Sequence, residues 1–350
     1  MDLMTDQKRT DEQPPDDTAV AAQPRLVVDE ATIGYDRTVI SEHLSVRIPD
    51  GSFTAIIGPN GCGKSTLLRA LARVLTPRAG RVLLDGRAIS TYRSKEIARR
   101  MGLLPQTSLA PDGIRVADLV ARGRAPYQSL VHQWRPSDED AVAAAMRATR
   151  LTELSGRLVD ELSGGQRQRV WVAMLLAQQT PIVLLDEPTT FLDIAHQYEL
   201  MELFRTFHDQ GKTIVTVLHD LNQAARYADH LVVMNNGGIV TTGRPGEVIT
   251  AELIEEVFGL RSLVVPDPVT GTPMVVPLDP RAAPAQPVPP VAPVRPVRPV
   301  VTAQPVPPVA PGVPVQPGGT DTPGVLDVDA SVAGPVPSTS PITADIHPEK

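Results

Sequence analysis

Between residues 25 and 280 apolar positions gather into short runs that alternate with helix-spaced patterns. Phe53-Thr-Ala-Ile-Ile57, Pro181-Ile-Val-Leu-Leu185 and Thr213 to Leu218 are nearly continuous apolar runs. Runs of that kind fit central parallel strands covered on both faces, not half-exposed ones that alternate apolar with polar. Val82–Leu84 predicts a shorter strand. Leu231 to Met234, then Asn235-Asn-Gly-Gly238, then Ile239-Val240 predicts a hairpin, because the Asn-Gly pair favours a tight primed turn. Leu67, Leu68 and Leu71 share one face of a helix predicted over Lys64 to Leu75. Ser137 heads another helix, with Asp138, Glu139 and Asp140 in the first turn, where the helix dipole favours negative charge; Ser-x-x-Asp predicts a capping box. Val170, Ala173, Met174 and Ala177 recur at i, i+3, i+4 and i+7, the apolar face of a third helix. Strands alternating with helices predict an α/β domain.

Composition divides the 350-residue chain in three. Residues 1–24 are rich in Asp, Gln, Thr and Pro and are expected to be disordered and acidic. The α/β domain is expected over 25–280. Residues 281–350 hold about half of the chain's 36 prolines, and Ala285-Gln-Pro-Val-Pro-Pro-Val-Ala-Pro293 recurs as Ala303 to Pro311. Such a tail favours extended polyproline II and cannot bury a core. It is expected to be a disordered extension, with a docking segment for a proline-binding partner as the alternative.

The net charge of −7 argues against a nucleic-acid binder. A single cysteine, Cys62, excludes an intrachain disulfide. Residues 1–18 lack the apolar stretch of a secretory signal, and no apolar run approaches the ~20 residues needed to span a bilayer. The expectation is a soluble protein; a membrane function would need another chain.

Gly58, Pro59, Asn60, Gly61, Cys62, Gly63, Lys64, Ser65 and Thr66 spell a P-loop, G-x-x-x-x-G-K-[ST]. Its glycines allow turns that aim successive backbone N–H groups inward, and the following helix N-terminus adds to a phosphate cradle. Lys64 brings a point charge to the β/γ-phosphates and the Ser65 hydroxyl can ligate Mg²⁺. The strand before and the helix after separate this phrase from a chance glycine-rich turn. Pro181 to Pro188 reads as a Walker B strand: the apolar run carries Asp186 to its carboxyl end, where α/β ligand sites lie. Asp186 can hold the Mg²⁺ shell, and Glu187 is placed to polarise a water as general base. Ser163, Gly164, Gly165 and Gln166 precede the helix bearing Val170, so the chain carries a second phosphate-binding element.

With these phrases the chain resembles the ATP-binding subunits of ABC transporters over about residues 25–280. The resemblance implies a RecA-like P-loop NTPase core with a parallel sheet, an antiparallel β subdomain and a helical signature subdomain at about residues 92–175. It implies that ATP and Mg²⁺ bind between two subunits, the P-loop of one facing Ser163–Gln166 of the other. Tyr35 sits where an aromatic side chain stacks on adenine. Gln106, after Met101-Gly-Leu-Leu-Pro105, resembles the Q-loop glutamine that touches Mg²⁺ or water. Asp193, in Phe191-Leu-Asp193, resembles the D-loop aspartate that crosses the dimer interface. His219, in Val217-Leu-His-Asp220, resembles the switch histidine at the γ-phosphate. The implied metal ligands are Ser65, Gln106 and Asp186, and the implied catalytic pair is Glu187 and His219.

A narrower resemblance rests on Gly123-Arg-Ala-Pro-Tyr127, Trp171-Val-Ala-Met174, Leu185-Asp-Glu-Pro-Thr-Thr190 with Leu192-Asp-Ile194 and His196-Gln197, Leu218-His-Asp-Leu-Asn-Gln223 and Asp267-Pro-Val-Thr-Gly-Thr-Pro273. These phrases are similar to those of ferric-siderophore importer ATPases, with haem and cobalamin importer ATPases as near relatives. The resemblance implies a polytopic permease, a second ATPase subunit of the same kind, a substrate-binding lipoprotein engaged indirectly, and a place on the cytoplasmic face of the membrane. Ribosome- or DNA-acting ABC ATPases are the rival. Those acting on ribosomes usually carry two cassettes, and those acting on chromosomes a long coiled coil; this chain has one P-loop and no sustained heptads. Cys62, at a helix N-terminus, raises a redox hypothesis in which oxidation blocks ATP binding.

Overall fold

The computed structural model describes residues 24–107, 109–128, 134–190 and 192–279. The acidic N-terminal segment, the proline-rich tail with its repeat, Phe191 and residues 129–133 lie outside the described residues. The chain opens with a long antiparallel pair, β1 (Pro24–Tyr35) and β2 (Thr38–Pro49). Then come β3 (Phe53–Ile57), α1 (Lys64–Leu71), and β4 (Ala79–Leu84) with the short β5 (Arg87–Ala88). β2, β1, β4 and β5 form one antiparallel sheet in that order.

α2 (Ser94–Arg100) and β6 (Met101–Leu104) lead into three helices: α3 (Val116–Ala121), α4 (Pro136–Ala148) and α5 (Gly164–Ala177). The chain then returns through β7 (Ile182–Asp186), α6 (Ile194–Asp209), β8 (Thr213–Val217), α7 (Leu221–Tyr227) and the hairpin β9 (His230–Asn235)–β10 (Gly238–Gly243). It closes with α8 (Pro245–Val248), α9 (Ala251–Phe258) and a second hairpin, β11 (Ser262–Pro266)–β12 (Pro273–Pro277). The central sheet runs β10-β9-β3-β8-β7-β6, parallel throughout except for the edge strand β10.

The apolar runs have the burial they predicted: every residue of β3, β7 and β8 is buried. Side chains alternate between faces along a strand. Ile56, Ile182, Leu184, Val215 and Val217 pack with α1 and the antiparallel sheet. Phe53, Val183, Leu185 and Ile214 point the other way, against Leu200, Met201 and Phe204 of α6. A third core joins α3, α4 and α5 through Val116, Leu119, Ala145, Val170 and Ala173. That core gathers residues from Ile114 to Ala177, whereas Tyr92, Ile97 and Met101 pack in the first.

Two local predictions need correction. α1 stops at Leu71, short of Leu75, because Arg73 adopts a left-handed backbone with φ of +59°. α4 begins at Pro136, not Ser137: proline suits the first helical position, where no N–H is needed. The capping carboxylate is Asp138, which accepts from the Arg135 N–H at 3.0 Å, and not Asp140. The predicted β9–β10 hairpin forms, with positive φ at Asn236 and Gly237 as a primed turn requires.

Candidate functional site

Strand register decides which side chains meet. Leu104 of β6 pairs with Leu185 of β7, Asp186 of β7 with Val217 of β8, and Ile56 of β3 with the same Val217. One or two residues beyond each pairing stand Gln106, Glu187, His219 and Gly58. Four neighbouring parallel strands thus deliver four loops to one edge, at the carboxyl ends where α/β folds bind ligands. There Ile40, Asn60, Gly61, Gly63, Lys64, Ser65, Thr66, Gln106, Glu187 and His219 line an open cleft of about 540 Å³.

The P-loop takes its shape from its neighbours. Gly58 has φ of +153°, and a Cβ there would lie 2.1 Å from the Met234 carbonyl oxygen. Gly63 caps α1 with φ of +102°. The β9–β10 turn fastens the loop, the Gly237 N–H donating to the Cys62 carbonyl at 3.2 Å. Lys64 is only 5% exposed, and its ammonium donates to the Gly58 and Pro59 carbonyls at 2.9 Å each. An ammonium held by two neutral carbonyls has no counter-charge there and would gain from an anion in the cleft.

Asp186 lies beneath this cleft, 1% exposed. Its Oδ1 accepts from the Ser65 hydroxyl at 2.7 Å. Its Oδ2 is buried without a hydrogen bond, faced by the Arg69 guanidinium at 3.7 Å. Burial pushes this carboxyl above its ordinary pKa, opposed by the Ser65 hydrogen bond and the Arg69 charge. Glu187 has φ of +52°, a left-handed conformation that costs a non-glycine residue about 1–2 kcal/mol. Its side chain is held at both oxygens. Oε1 lies 2.5 Å from His219 Nε2, and Oε2 accepts from Gln106 Nε2 at 2.7 Å and Thr190 Oγ1 at 3.3 Å. A carboxylate so fixed, beside a phosphate cradle, is positioned to take a proton from a water.

The other sequence-predicted residues stand apart from this cleft. Ser163 caps α5 in a reciprocal box: Ser163 Oγ accepts from the Gln166 N–H at 3.3 Å, and Gln166 Oε1 from the Ser163 N–H at 3.1 Å. Neither these two nor Gly164 and Gly165 line the cleft. A Cβ on Gly164 would meet nothing within 4 Å, so packing within the chain does not demand glycine there. Asp193 caps α6 and binds His196 Nδ1 at 2.7–2.8 Å; the His196 N–H and ring hold its carboxyl below the ordinary range. Tyr35 ends β1 outside the lining of the cleft, its hydroxyl accepting from Arg69 at 2.8 Å. Ile40, Arg69 and Thr190 went unrecognised in the sequence. Arg69 was the findable one, since it follows Lys64 by five residues and a cation one turn inside a P-loop helix lies near the Walker B carboxylate.

Cys62 packs its sulfur against Gly58 and is 5% exposed. Burial pushes its thiol above the ordinary pKa, against the lowering effect of Lys64. A buried, protonated thiol is a poor nucleophile, which counts against the redox hypothesis. Millimolar peroxide is expected to leave ATPase activity unchanged; rapid inactivation accompanied by a modified Cys62 would contradict this.

The family model described as ABC transporter matches residues 41–190. The ferric enterobactin transport ATP-binding protein of Escherichia coli is 57% identical over 262 residues, covering 75% of this chain and 96% of that protein. A petrobactin import ATP-binding protein of Bacillus anthracis is 48% identical over 256 residues, covering 73% of this chain and 94% of that protein. An inward-facing metal-chelate type ABC transporter matches in structure with a TM-score of 0.63 at 27% identity, over 73% of this chain and 98% of the matched chain. The phosphate cradle, the two carboxylates after β7 and these relatives agree: the chain belongs to the ABC transporter family as an ATP-binding subunit, and it is an ATPase.

Proposed function

We propose that this ATPase powers the import of ferric siderophores or related iron chelates, as a pair of identical subunits that close over two ATP molecules and drive a separate membrane permease from its cytoplasmic face. The cargo class rests on the relatives, whose names specify ferric enterobactin and petrobactin. The paired arrangement rests on one observation: the chain's two phosphate-binding elements do not share a cleft, and Gly164 faces open space. A second copy placing its Ser163–Gln166 over Lys64 would complete each site. Among the described residues no helix is long and apolar enough to cross a membrane, consistent with a separate permease.

Within each site Lys64 exchanges the Gly58 and Pro59 carbonyls for phosphate oxygens, and Tyr35 offers its ring to the base. Mg²⁺ fits the donor set: the Ser65 hydroxyl, Asp186 Oδ2, which accepts no hydrogen bond, and Gln106 Oε1, whose amide nitrogen is already committed to Glu187. Mg²⁺ characteristically takes few protein ligands and completes its shell with phosphate and water, and it would neutralise charge on the transferred phosphoryl group. Glu187 accepts a proton from water as the water oxygen bonds to the γ-phosphorus and the bond to the β-bridging oxygen breaks. His219 orients Glu187 and meets the γ-phosphate.

The test is uptake of iron-loaded siderophore in cells lacking the chain. Wild type should restore uptake, and Lys64→Ala, expressed to the same level, should leave it at background. Equal restoration by both would sink ATP-driven import. Restoration of haem uptake instead of siderophore uptake would reassign the cargo.

A further inference from the structure

Two glutamines outside the nucleotide cleft link the loop of Asp193 to the loop of His219. Gln197 stands in the first turn of α6 and Gln223 in the first turn of α7. Gln197 Nε2 donates to the Leu192 carbonyl at 3.0 Å, one residue before Asp193. Gln223 Nε2 donates to Gln197 Oε1 at 2.9 Å. The Gln223 backbone N–H donates to Asp220 Oδ1 at 3.0 Å, and Asp220 directly follows His219. Each end is built alike: Asp193 caps α6 and Asp220 caps α7, and each cap is followed within four residues by a relay glutamine.

The direction of these bonds is not arbitrary. A backbone carbonyl can only accept, so Gln197 must turn its amide nitrogen to Leu192. Its Oε1 then faces Gln223, which must present its own nitrogen. Gln223 is 4% exposed, and its Oε1 is left buried without a partner. Gln223 thus keeps one buried acceptor unsatisfied while donating to Gln197, so packing alone does not account for the amide.

We propose that Gln197 and Gln223 are positioning residues that couple the Asp193 loop to the His219 loop within one subunit. The inference rests on the paired-subunit reading, in which a second copy presses on the Asp193 loop. Movement of Leu192 is carried through the two amides to Asp220 and His219, and His219 Nε2 lies 2.5 Å from the Glu187 carboxylate. Contact made by one subunit thereby sets the base geometry of its neighbour's ATP-binding half. Both glutamines lie in phrases singled out in the sequence, His196-Gln197 and Leu218–Gln223, and the nucleotide cleft takes up His219 but neither glutamine.

The test is a double-mutant cycle on the full-length ATPase, reading kcat, KM for ATP and Tm. Gln197→Leu and Gln223→Leu should each lower kcat about tenfold with KM within about twofold, and the double variant should be no slower than either single. Gln197→Glu keeps size and shape but replaces the donor to Leu192 with a charged acceptor, so it should match Gln197→Leu in kcat. Unchanged kcat, single losses that multiply to about a hundredfold in the double variant, or KM and Tm that deteriorate in step with kcat would overturn the coupling. Failure of the paired-subunit reading would show separately, as a Glu187→Gln variant that stays monomeric with ATP.

Discussion

Glu187→Gln is expected to bind ATP as tightly as wild type, hydrolyse it at least about a hundredfold more slowly, and accumulate as an ATP-bound dimer. The change is isosteric. It spares the P-loop, Lys64, Ser65 and Asp186, the residues proposed to hold the phosphates and Mg²⁺. What it removes is the proton-accepting carboxylate that follows β7, fixed between His219 at 2.5 Å and Gln106 at 2.7 Å. If opening of the dimer needs hydrolysis, stalled chemistry traps the closed pair. Steady-state ATPase rates and size-exclusion chromatography with and without ATP and Mg²⁺ check both halves. Turnover at the wild-type rate would remove Glu187 from the role of base.

Arg124→Ala is expected to destabilise the protein by about 3–5 kcal/mol, the cost of stranding one partner of a buried ion pair. Arg124 Nε donates to Asp138 Oδ1 at 2.8 Å, with the two side chains 6% and 4% exposed. The guanidinium also donates to the Ala177 carbonyl at 2.8 Å and Gln179 Oε1 at 3.0 Å, and lies 4.0 Å from the centre of the Tyr127 ring. Among the described residues, removing it leaves the Asp138 carboxylate buried with the Arg135 N–H as its remaining donor. Arg124→Met with Asp138→Leu should recover much of the loss, since an apolar pair strands no charge. Urea denaturation followed by circular dichroism measures both. A loss under about 1 kcal/mol for Arg124→Ala would mean the carboxylate finds water or another cation.

This cluster changes the meaning of Gly123-Arg-Ala-Pro-Tyr127. A Cβ on Gly123 would lie 2.2 Å from the Met174 carbonyl oxygen, and the Tyr127 hydroxyl donates to the Gln178 carbonyl at 2.9 Å. Glycine, arginine and tyrosine each fasten residues 122–127 to the end of α5. The phrase that helped suggest a cargo subgroup is, in the fold, a packing device. It packs against the helical unit, so it can mark a subgroup without reading a substrate.

Much of the site was legible because its chemistry is local. A strand, a glycine-rich turn and a helix N-terminus lie within about fifteen residues, and Asp186 and Glu187 end an apolar run that can only be a covered strand. The same holds for the hairpin turn at Asn236 and Gly237, where backbone sign and residue type agree. Helix ends were less legible: apolar spacing does not mark the left-handed Arg73, and Pro136 moves the α4 cap from Ser137 and Asp140 to Arg135 and Asp138.

By itself, then, the sequence determined the α/β class, the phosphate cradle and the identity of the carboxylates, since periodicity, turn propensity and capping act over a few residues. Tertiary structure alone decided that Gln106, Glu187, His219 and the P-loop meet at one edge while Ser163–Gln166 does not. It alone revealed the Arg69 bridge between Tyr35 and Asp186, the Arg124–Asp138 pair and the Gln197–Gln223 relay. Those depend on strand register and on contacts between residues 14 to more than 100 positions apart, which no local pattern in the chain encodes.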